Sequence, residues 1–220
     1  MTLRQSELRF SGAPWYQAVK ETPVILIGAG GIGSWTALLL ARTGFNVTVY
    51  DPDIIEAHNI GGQLYQMSQI GQPKVLALAE IVKQFSETRI AACAQRYPNS
   101  VAADNTIVIL AVDNIMTRQD VARAGNYRYL IDGRMTAESH MIYALKRIDG
   151  LSKLCKYLDT LPTEENAIAD GPCSMRATSF NGAAIASTIT AIAVNLLAPY
   201  RTVPFMTRVD FPMFNYKLEL

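Results

Sequence analysis

The chain has 220 residues, half of which are hydrophobic, and its formal net charge at neutral pH is +1. This composition excludes an intrinsically disordered chain, and the length is sufficient for a hydrophobic core. The small net charge, without a basic tract, gives no indication of binding to nucleic acid or to an anionic membrane. We therefore expect a soluble, cytoplasmic protein, with residues 1–220 forming one domain and neither nucleic acid nor membrane as a partner.

The first 22 residues are expected to form an N-terminal arm, and the segment that follows it is the most informative in the chain. In residues 24–33, four apolar β-formers run directly into a cluster of glycines. A helical pattern extends from there to about Arg42, and a second apolar strand, Asn46–Tyr50, is followed by Asp51. This arrangement is typical of a nucleotide-binding site: a strand, a glycine turn, a helix and a second strand that ends at an acidic residue, all within about 30 residues.

Each glycine of this turn has a mechanical role. Gly28 suits a tight turn, Gly30 and Gly31 allow the backbone to approach a phosphate, and Gly33 permits close packing of the helix on the strand. The helix N-terminus presents free N–H groups to an anion, and Asp51 is placed to accept hydrogen bonds from ribose hydroxyls. A glycine turn that only packs a strand on a helix is the alternative, and the motif alone does not distinguish NAD from ATP.

The remaining elements alternate along the chain, which favours a Rossmann-like, doubly wound, mostly parallel sheet with some antiparallel strands toward the C-terminus. Helical spacing is present over residues 74–86, 118–125 and 177–198, and strands are predicted at 89–94, 106–112 and 128–132. Later, antiparallel strands are predicted at 140–147, 206–211 and 214–218. The apolar stretch 183–198 is short for a membrane span and is predicted to be a buried helix. Residues 150–172 are polar and are predicted to be a mobile connection over the ligand site.

A longer pattern surrounds Asp51. The run DPDIIEAHNIGGQ occupies residues 51–63 and is followed by IGQPK at 70–74 and by AVDN at 111–114, with Arg118 shortly after. These motifs resemble the ThiF/MoeB superfamily, which includes the ubiquitin-activating enzymes. Members of that superfamily use ATP and Mg²⁺ to adenylate the C-terminal glycine carboxylate of a ubiquitin-like protein. The resemblance implies an adenylyltransferase that acts on a small ubiquitin-like (β-grasp) or sulfur-carrier protein, and a later thioester step is left open.

The resemblance also implies a set of nucleotide contacts. Asp51 is the ribose acceptor, with Asp53 beside it, and Asn59 and Gln63 match positions that line the phosphates. Lys74 matches the family's phosphate-binding lysine, at the start of a helix whose dipole also favours anions. For Lys74 the alternative is a solvated charge on the helix surface.

Asp113 follows a buried strand, where ligands bind in open α/β sheets. It resembles the family carboxylate that holds Mg²⁺, a cation that prefers oxygen ligands. The alternative for Asp113 is the N-cap of the next helix.

Arg4 lies 24 residues before Gly28. At this spacing the family places an arginine that enters the active site of the partner subunit, where it stabilises charge on the polyphosphate. The resemblance therefore implies a homodimer with two composite sites. The alternative is an ordinary charge on a flexible terminus.

The chain departs from the family at Gly62, where most members carry an arginine that contacts phosphate. Loss of one oriented cation from such a site weakens transition-state stabilisation. Three interpretations stay open: Arg134 substitutes, the enzyme is slow, or the chain is a catalytically impaired nucleotide-binding subunit of an activating heterodimer. An NAD-dependent oxidoreductase is the less favoured alternative, because the phosphate-lining residues and Asp113 have no role there.

The three cysteines form no CxxC pair, so we predict no structural zinc site. Cys173 resembles the cysteine that relatives carry before their last helix, where a thiolate near Arg176 could attack the acyl-adenylate. Several adenylating relatives do not need this cysteine. Cys155 is a weaker candidate, and Cys93, in an apolar strand, is predicted to belong to the core.

Overall fold

The structure is a computed structural model that describes residues 5–99, 104–162 and 177–220. The strands are β1 (Pro23–Ile27), β2 (Asn46–Tyr50), β3 (Ala91–Cys93), β4 (Ile107–Leu110), β5 (Tyr129–Met135), β6 (Ser139–Lys146), β7 (Met206–Asp210) and β8 (Asn215–Glu219). The helices are α1 (Tyr16–Glu21), α2 (Gly33–Thr43), α3 (Lys74–Phe85), α4 (Ile115–Ala124), α5 (Gly150–Leu158) and α6 (Ser179–Leu197).

The described strands form one eight-stranded sheet in the order β3-β2-β1-β4-β5-β6-β7-β8. Strands β1 to β5 run parallel to their neighbours, whereas β6, β7 and β8 pair in antiparallel register. The predicted mostly parallel, doubly wound sheet with antiparallel C-terminal strands is therefore confirmed.

Helices cover both faces of the parallel part of the sheet. Alternate residues of β1 belong to different clusters: Val24 and Leu26 pack with α2, α3 and α6, whereas Ile25 and Ile27 pack with α4 and α5. In β4 all four residues are fully buried. A strand buried on both faces needs a continuous apolar run, which is why the sequence pattern of β4 is unbroken rather than alternating.

Helix α6 is long and apolar enough to cross a membrane by length and composition alone. In this fold it lies against α2 and the strands β5 and β6, and Ile185, Ile189 and Ala193 are completely buried there. The structure therefore places α6 in the core, as the interrupted apolar pattern predicts.

Part of the predicted mobile connection at 150–172 is regular structure. Its first nine residues form α5, and Tyr157 in this helix is fully buried against Tyr143. The charged residues of the segment obscured its amphipathic pattern, because only one side of this short helix, with Tyr157, is buried. Residues 163–172 lie outside the described ranges.

The N-terminal arm contacts the rest of the protein at Ser6, whose backbone N donates to Glu87 Oε2 at 3.1 Å. Glu7 is buried and accepts hydrogen bonds from the Tyr16 hydroxyl at 2.6 Å and from Lys20 Nζ at 2.7 Å. This buried charge is therefore paired, as burial requires.

Candidate functional site

A cleft of about 220 Å³ opens at the edge of the sheet where β1, β2 and β4 end. Ligands of open α/β sheets bind at this edge, between loops that follow the carboxyl ends of the strands. Five polar lining residues come from three such loops, Asp51, Asp53, Arg96, Asp113 and Asn114, and Thr117 comes from the first turn of α4.

The glycine turn after β1 is too tight for side chains at two positions. Gly28 has a φ of +99°, and a Cβ there would overlap the carbonyl oxygen of Ala111 at the end of β4. A Cβ at Gly33 would overlap the carbonyl oxygen of Gly28. In this turn the backbones at the ends of β1 and β4 and at the start of α2 are in direct contact, as the glycine spacing predicts.

Gly30 and Gly31 face different surroundings. The position of a Gly30 Cβ has only the Gln63 side chain near it among the described residues, with Nε2 at 4.0 Å, so the space beside the Gly30 backbone is open. A Gly31 Cβ would lie 3.0 Å from Met135 Cε, so Gly31 serves packing against β5. Gly30 is thus the better placed of the two for a phosphate.

Asp51 is 7 % exposed and is held entirely by backbone N–H groups. Its Oδ2 accepts from Ala29 N at 2.7 Å, and its Oδ1 accepts from Asp53 N at 2.8 Å. Burial raises the pKa of Asp51, and the two hydrogen bonds partly oppose that effect. An ionised carboxylate has about four acceptor positions, so two remain for ribose hydroxyls.

The carbonyl group of Ala29 is also fixed. The hydroxyl of Tyr65 donates to Ala29 O at 2.6 Å, and Tyr65 is buried. The second residue of the glycine turn is therefore held on one side by Asp51 and on the other by Tyr65, before any ligand binds.

Lys74 is not a solvated charge. Its side chain is 9 % exposed, Nζ lies 3.0 Å from Asp53 Oδ2, and its backbone N donates to Asp53 O at 2.9 Å. Because Asp53 lines the cleft, this pair brings a cation to the rim of the site. A phosphate group bound there could replace Asp53 as the anionic partner of Lys74.

Asn59 and Gln63 are arranged to donate hydrogen bonds. Asn59 Oδ1 accepts from Glu56 N at 2.9 Å, which leaves its NH₂ group for another partner. Gln63 Oε1 is buried and has no hydrogen-bond partner among the described residues. The other end of the amide, Nε2, lies 4.0 Å from the position of a Gly30 Cβ, so its NH₂ group can donate to a phosphate that follows the backbone at Gly30.

Asp113 is exposed at the mouth of the cleft, directly after β4. The N-cap of α4 is the next residue, Asn114, whose Oδ1 accepts from Thr117 N at 2.8 Å. The capping alternative for Asp113 is therefore wrong. In the described ranges no group of three or more His, Cys, Asp or Glu residues could hold a metal ion. Mg²⁺ commonly takes one or two carboxylates together with substrate phosphates, and Asp113 fits that arrangement.

Sequence reasoning missed a buried network next to Asp113. Asp132 is completely buried and pairs with Arg118, which also donates to the carbonyl oxygen of Val112. Burial and the neighbouring Arg134 lower the pKa of Arg118 to about 10, so it stays charged at neutral pH. Through Val112, this network fixes the backbone immediately before Asp113.

Arg134 belongs to the same network and not to the phosphate side of the site. Its Nε donates to Asp132 Oδ2 at 2.7 Å, and its Nη1 donates to Thr160 O at 2.8 Å. Its guanidinium stacks on Tyr143, within the core cluster on the α4 and α5 face. The structure thus does not bring Arg134 to Gly62, and the suggestion that it replaces the missing arginine is wrong.

The glycine at position 62 has a packing partner. Its carbonyl oxygen accepts from Trp35 Nε1 at 3.1 Å, and a Cβ there would lie 3.3 Å from the Cβ of Ala177, just before α6. An arginine at position 62 would have to displace this neighbour. The position at which most family members carry an arginine is therefore, in this chain, a point of close contact between the loop at Gly62 and the residue before α6.

Four further residues differ from the sequence-based predictions or lie outside the described ranges. Arg4 and Cys173 lie outside the described ranges. Cys93, predicted to be in the core, is partly exposed because β3 is an edge strand. Arg96 lines the cleft after β3 and was not predicted, since β3 is only three residues long and gives a weak signal of where its loop begins.

A family model described as "ThiF family" matches residues 2–208. The chain belongs to the ThiF family. The resemblance inferred from the motifs between residues 51 and 114 is therefore confirmed.

Among curated proteins, the chain is 29 % identical over 123 residues to tRNA threonylcarbamoyladenosine dehydratase 1 of Saccharomyces cerevisiae, covering 51 % of this chain and 29 % of that protein. It is also 29 % identical over 123 residues to the NEDD8-activating enzyme E1 catalytic subunit of Caenorhabditis elegans, covering 48 % and 28 %. The matched region spans less than a third of each of these two relatives.

Solved structures share the fold at low sequence identity. The structure of PaaA matches with a TM-score of 0.74 at 17 % identity. The structure of E. coli MccB with AMPCPP and MccA matches with a TM-score of 0.70 at 14 % identity. Each of these two matches covers 93 % of this chain and 65 % of the other chain. The E. coli tRNA N6-threonylcarbamoyladenosine dehydratase in complex with ATP has a TM-score of 0.65 at 17 % identity, covering 87 % and 91 %. At these identities the likeness establishes the fold.

Proposed function

We propose that this chain binds ATP with Mg²⁺ in the cleft at the ends of β1, β2 and β4, and adenylates the C-terminal carboxylate of a small ubiquitin-like or sulfur-carrier protein. The observation that carries the proposal is the placement of Asp51 and Asp113 in one cleft beside the glycine turn of a ThiF-family chain. The nucleotide is supported by the ATP and AMPCPP complexes of proteins that share the fold. The substrate class is supported by relatives named for activating NEDD8 and other ubiquitin-like modifiers.

In this proposal each part of the nucleotide has a partner in the described chain. The ribose hydroxyls bind Asp51, and the triphosphate follows the backbone at Gly30 toward the N-terminus of α2. Gln63 donates to a phosphate oxygen, and Lys74 supplies a positive charge. Asp113 would hold Mg²⁺, which neutralises negative charge on the phosphates when it is bound.

The proposed chemistry needs positioning more than proton transfer. A carboxylate oxygen of the partner attacks the α-phosphorus of ATP, and the new oxygen–phosphorus bond replaces the bond to the β-phosphate bridging oxygen. Pyrophosphate leaves with its electron pair, and an acyl-adenylate remains. Because the attacking carboxylate is already ionised, the chain contributes alignment and charge stabilisation rather than a general base.

Two further parts of the proposal come from the family resemblance. Arg4 from a second copy would supply a cation to the polyphosphate, which makes the homodimer the active unit. Cys173 would accept the acyl group as a thioester, with release of AMP.

The packing of Gly62 against Ala177 favours one alternative, a catalytically impaired subunit of a heterodimer. The site then lacks a cationic donor at that position, where any side chain would press against Ala177. Such a subunit would bind ATP without activating a carrier by itself. Pyrophosphate exchange by the isolated chain separates the two functions.

The test is exchange of labelled pyrophosphate into ATP by the purified chain, with Mg²⁺ and candidate carrier proteins that end in glycine. We expect exchange that depends on the carrier and that falls at least a hundredfold in Asp113→Asn, while Asp120→Asn, an exposed change on α4 outside the cleft, leaves it unchanged. Exchange absent with every carrier, together with retained ATP binding, would favour the impaired subunit. Binding of NAD in preference to ATP would overturn both.

A further inference from the structure

A second cavity, of about 330 Å³, lies near the amino-terminal ends of the parallel strands, whereas the nucleotide cleft lies at their carboxyl ends. It is bounded by the end of β6, by α5 and by the residues that follow α6. Its apolar wall includes Ala144, Leu196 and Val203. A cavity of this volume is at the lower end of the range for small-molecule sites.

Three cationic side chains line this cavity: Lys146, Lys153 and Arg201. Within the part of the chain that the structure describes, none of the three forms an ion pair. Lys156, whose Nζ lies 4.7 Å from the centre of the Phe205 ring, is by contrast paired with Glu219. Three positive charges without an ion-pair partner among the described residues therefore border one cavity.

Two of these cations are held in place without a ligand. Arg201 Nη1 donates to Asn195 Oδ1 at 2.6 Å, which leaves its other N–H groups available. Lys153 Nζ lies 5.7 Å from the centre of the Phe205 ring, a cation–π distance. Asp149, the acidic residue of the lining, accepts from the backbone N of Lys146 at 3.1 Å. Part of its acceptor capacity is thus already used.

We propose that this cavity is a binding site for a small phosphate-bearing ligand with an apolar body. Lysine and arginine are the side chains that bind phosphate through charge-assisted hydrogen bonds, and the apolar wall would cover the rest of the ligand. Lys146 is level with Tyr129 at the beginning of β5, and Tyr129 with Ile107 of β4. Asp113 is six residues beyond Ile107, so the two sites are roughly 20 Å apart along the strands. The ligand does not contact the nucleotide cleft.

The site can be tested with phenyl phosphate as the probe, by methyl NMR of the full chain with labelled leucine and valine. We expect saturable shifts of the Leu196 and Val203 methyl signals, and no such shifts with phenol or with sodium chloride at the same ionic strength. Val112 in the nucleotide cleft reports the other site. Equal shifts with phenol, shifts only at Val112, or no saturation would overturn the proposal.

A matched pair of variants on α5 tests the role of the cations. Lys153→Met removes a charge that faces the cavity, and Lys156→Met removes a paired charge three residues further along the same helix. We expect Lys153→Met to weaken phenyl phosphate binding about tenfold and Lys156→Met to leave it unchanged. Arg201→Gln, on a different segment, should give a similar loss. Equal effects of the two lysine variants would show only general charge attraction and would overturn the assignment.

Discussion

Asp51 and Asp132 are both buried carboxylates near the carboxyl ends of parallel strands, but they are bonded in different ways. Asp132 accepts from two arginines and from the hydroxyl of Tyr157, whereas the donors to Asp51 among the described residues are two backbone N–H groups. Asp132 therefore uses three of its roughly four acceptor positions within its own chain and faces no cleft, whereas Asp51 uses two and retains the others at the cleft. Burial alone does not distinguish a ligand-binding carboxylate; unused acceptor capacity at an open edge does.

The largest effect is expected from Asp132→Ala. This change leaves Arg118 and Arg134 without their shared counter-ion in a buried setting, so we expect a loss of about 3–5 kcal/mol in the free energy of unfolding in urea. Asp104→Ala, which breaks an exposed pair with Arg147, is the control and should change little. A loss no larger than that of the control would show that the arginines do not depend on Asp132.

Asp51→Asn should affect ligand binding more than stability. The variant keeps the size of the side chain but places an NH₂ group against a backbone N–H donor, and it removes the charge that ribose hydroxyls would contact. We expect ATP affinity, measured by calorimetry, to fall about tenfold. Unchanged affinity would remove Asp51 from the site.

The same variant carries a pH signature. Burial raises the pKa of Asp51 above its ordinary value of 3.8, so its stabilising contribution is present below that pH and is lost as pH rises through the raised pKa. The D51N variant does not titrate at this position. The stability of wild type relative to D51N should therefore fall as pH increases from about 3.8 toward neutrality.

The smallest effects are expected from two matched tyrosines. Tyr157→Phe removes one donor from Asp132, and Tyr65→Phe removes the donor to Ala29 O. Each should cost about 1 kcal/mol in unfolding free energy. Only Tyr65→Phe should also weaken ATP binding, because only it loosens the glycine turn. Equal losses of affinity would mean that the two networks are coupled.

Local patterns in the sequence predicted the parts of the fold that depend on them. The apolar run of β4 and the glycine turn before α2 each result from short-range rules, and both occur where the sequence predicts. The network around Asp132 joins residues from α4, β5 and α5, so its pairing depends on tertiary structure. Its one local signal was the charged Asp132-Gly-Arg134 sequence within an otherwise apolar strand. The contact between Gly62 and Ala177 joins segments more than a hundred residues apart and has no local signal.

Ala177 also lies 3.4 Å from the position of a Cβ on Gly31, so a single methyl group separates the glycine turn from the loop that contains Gly62. The size of the side chain at position 177 thus sets the spacing of two segments that the nucleotide would touch. A larger side chain at position 62 would require a small shift at Ala177, so we expect these two positions to vary together in an alignment.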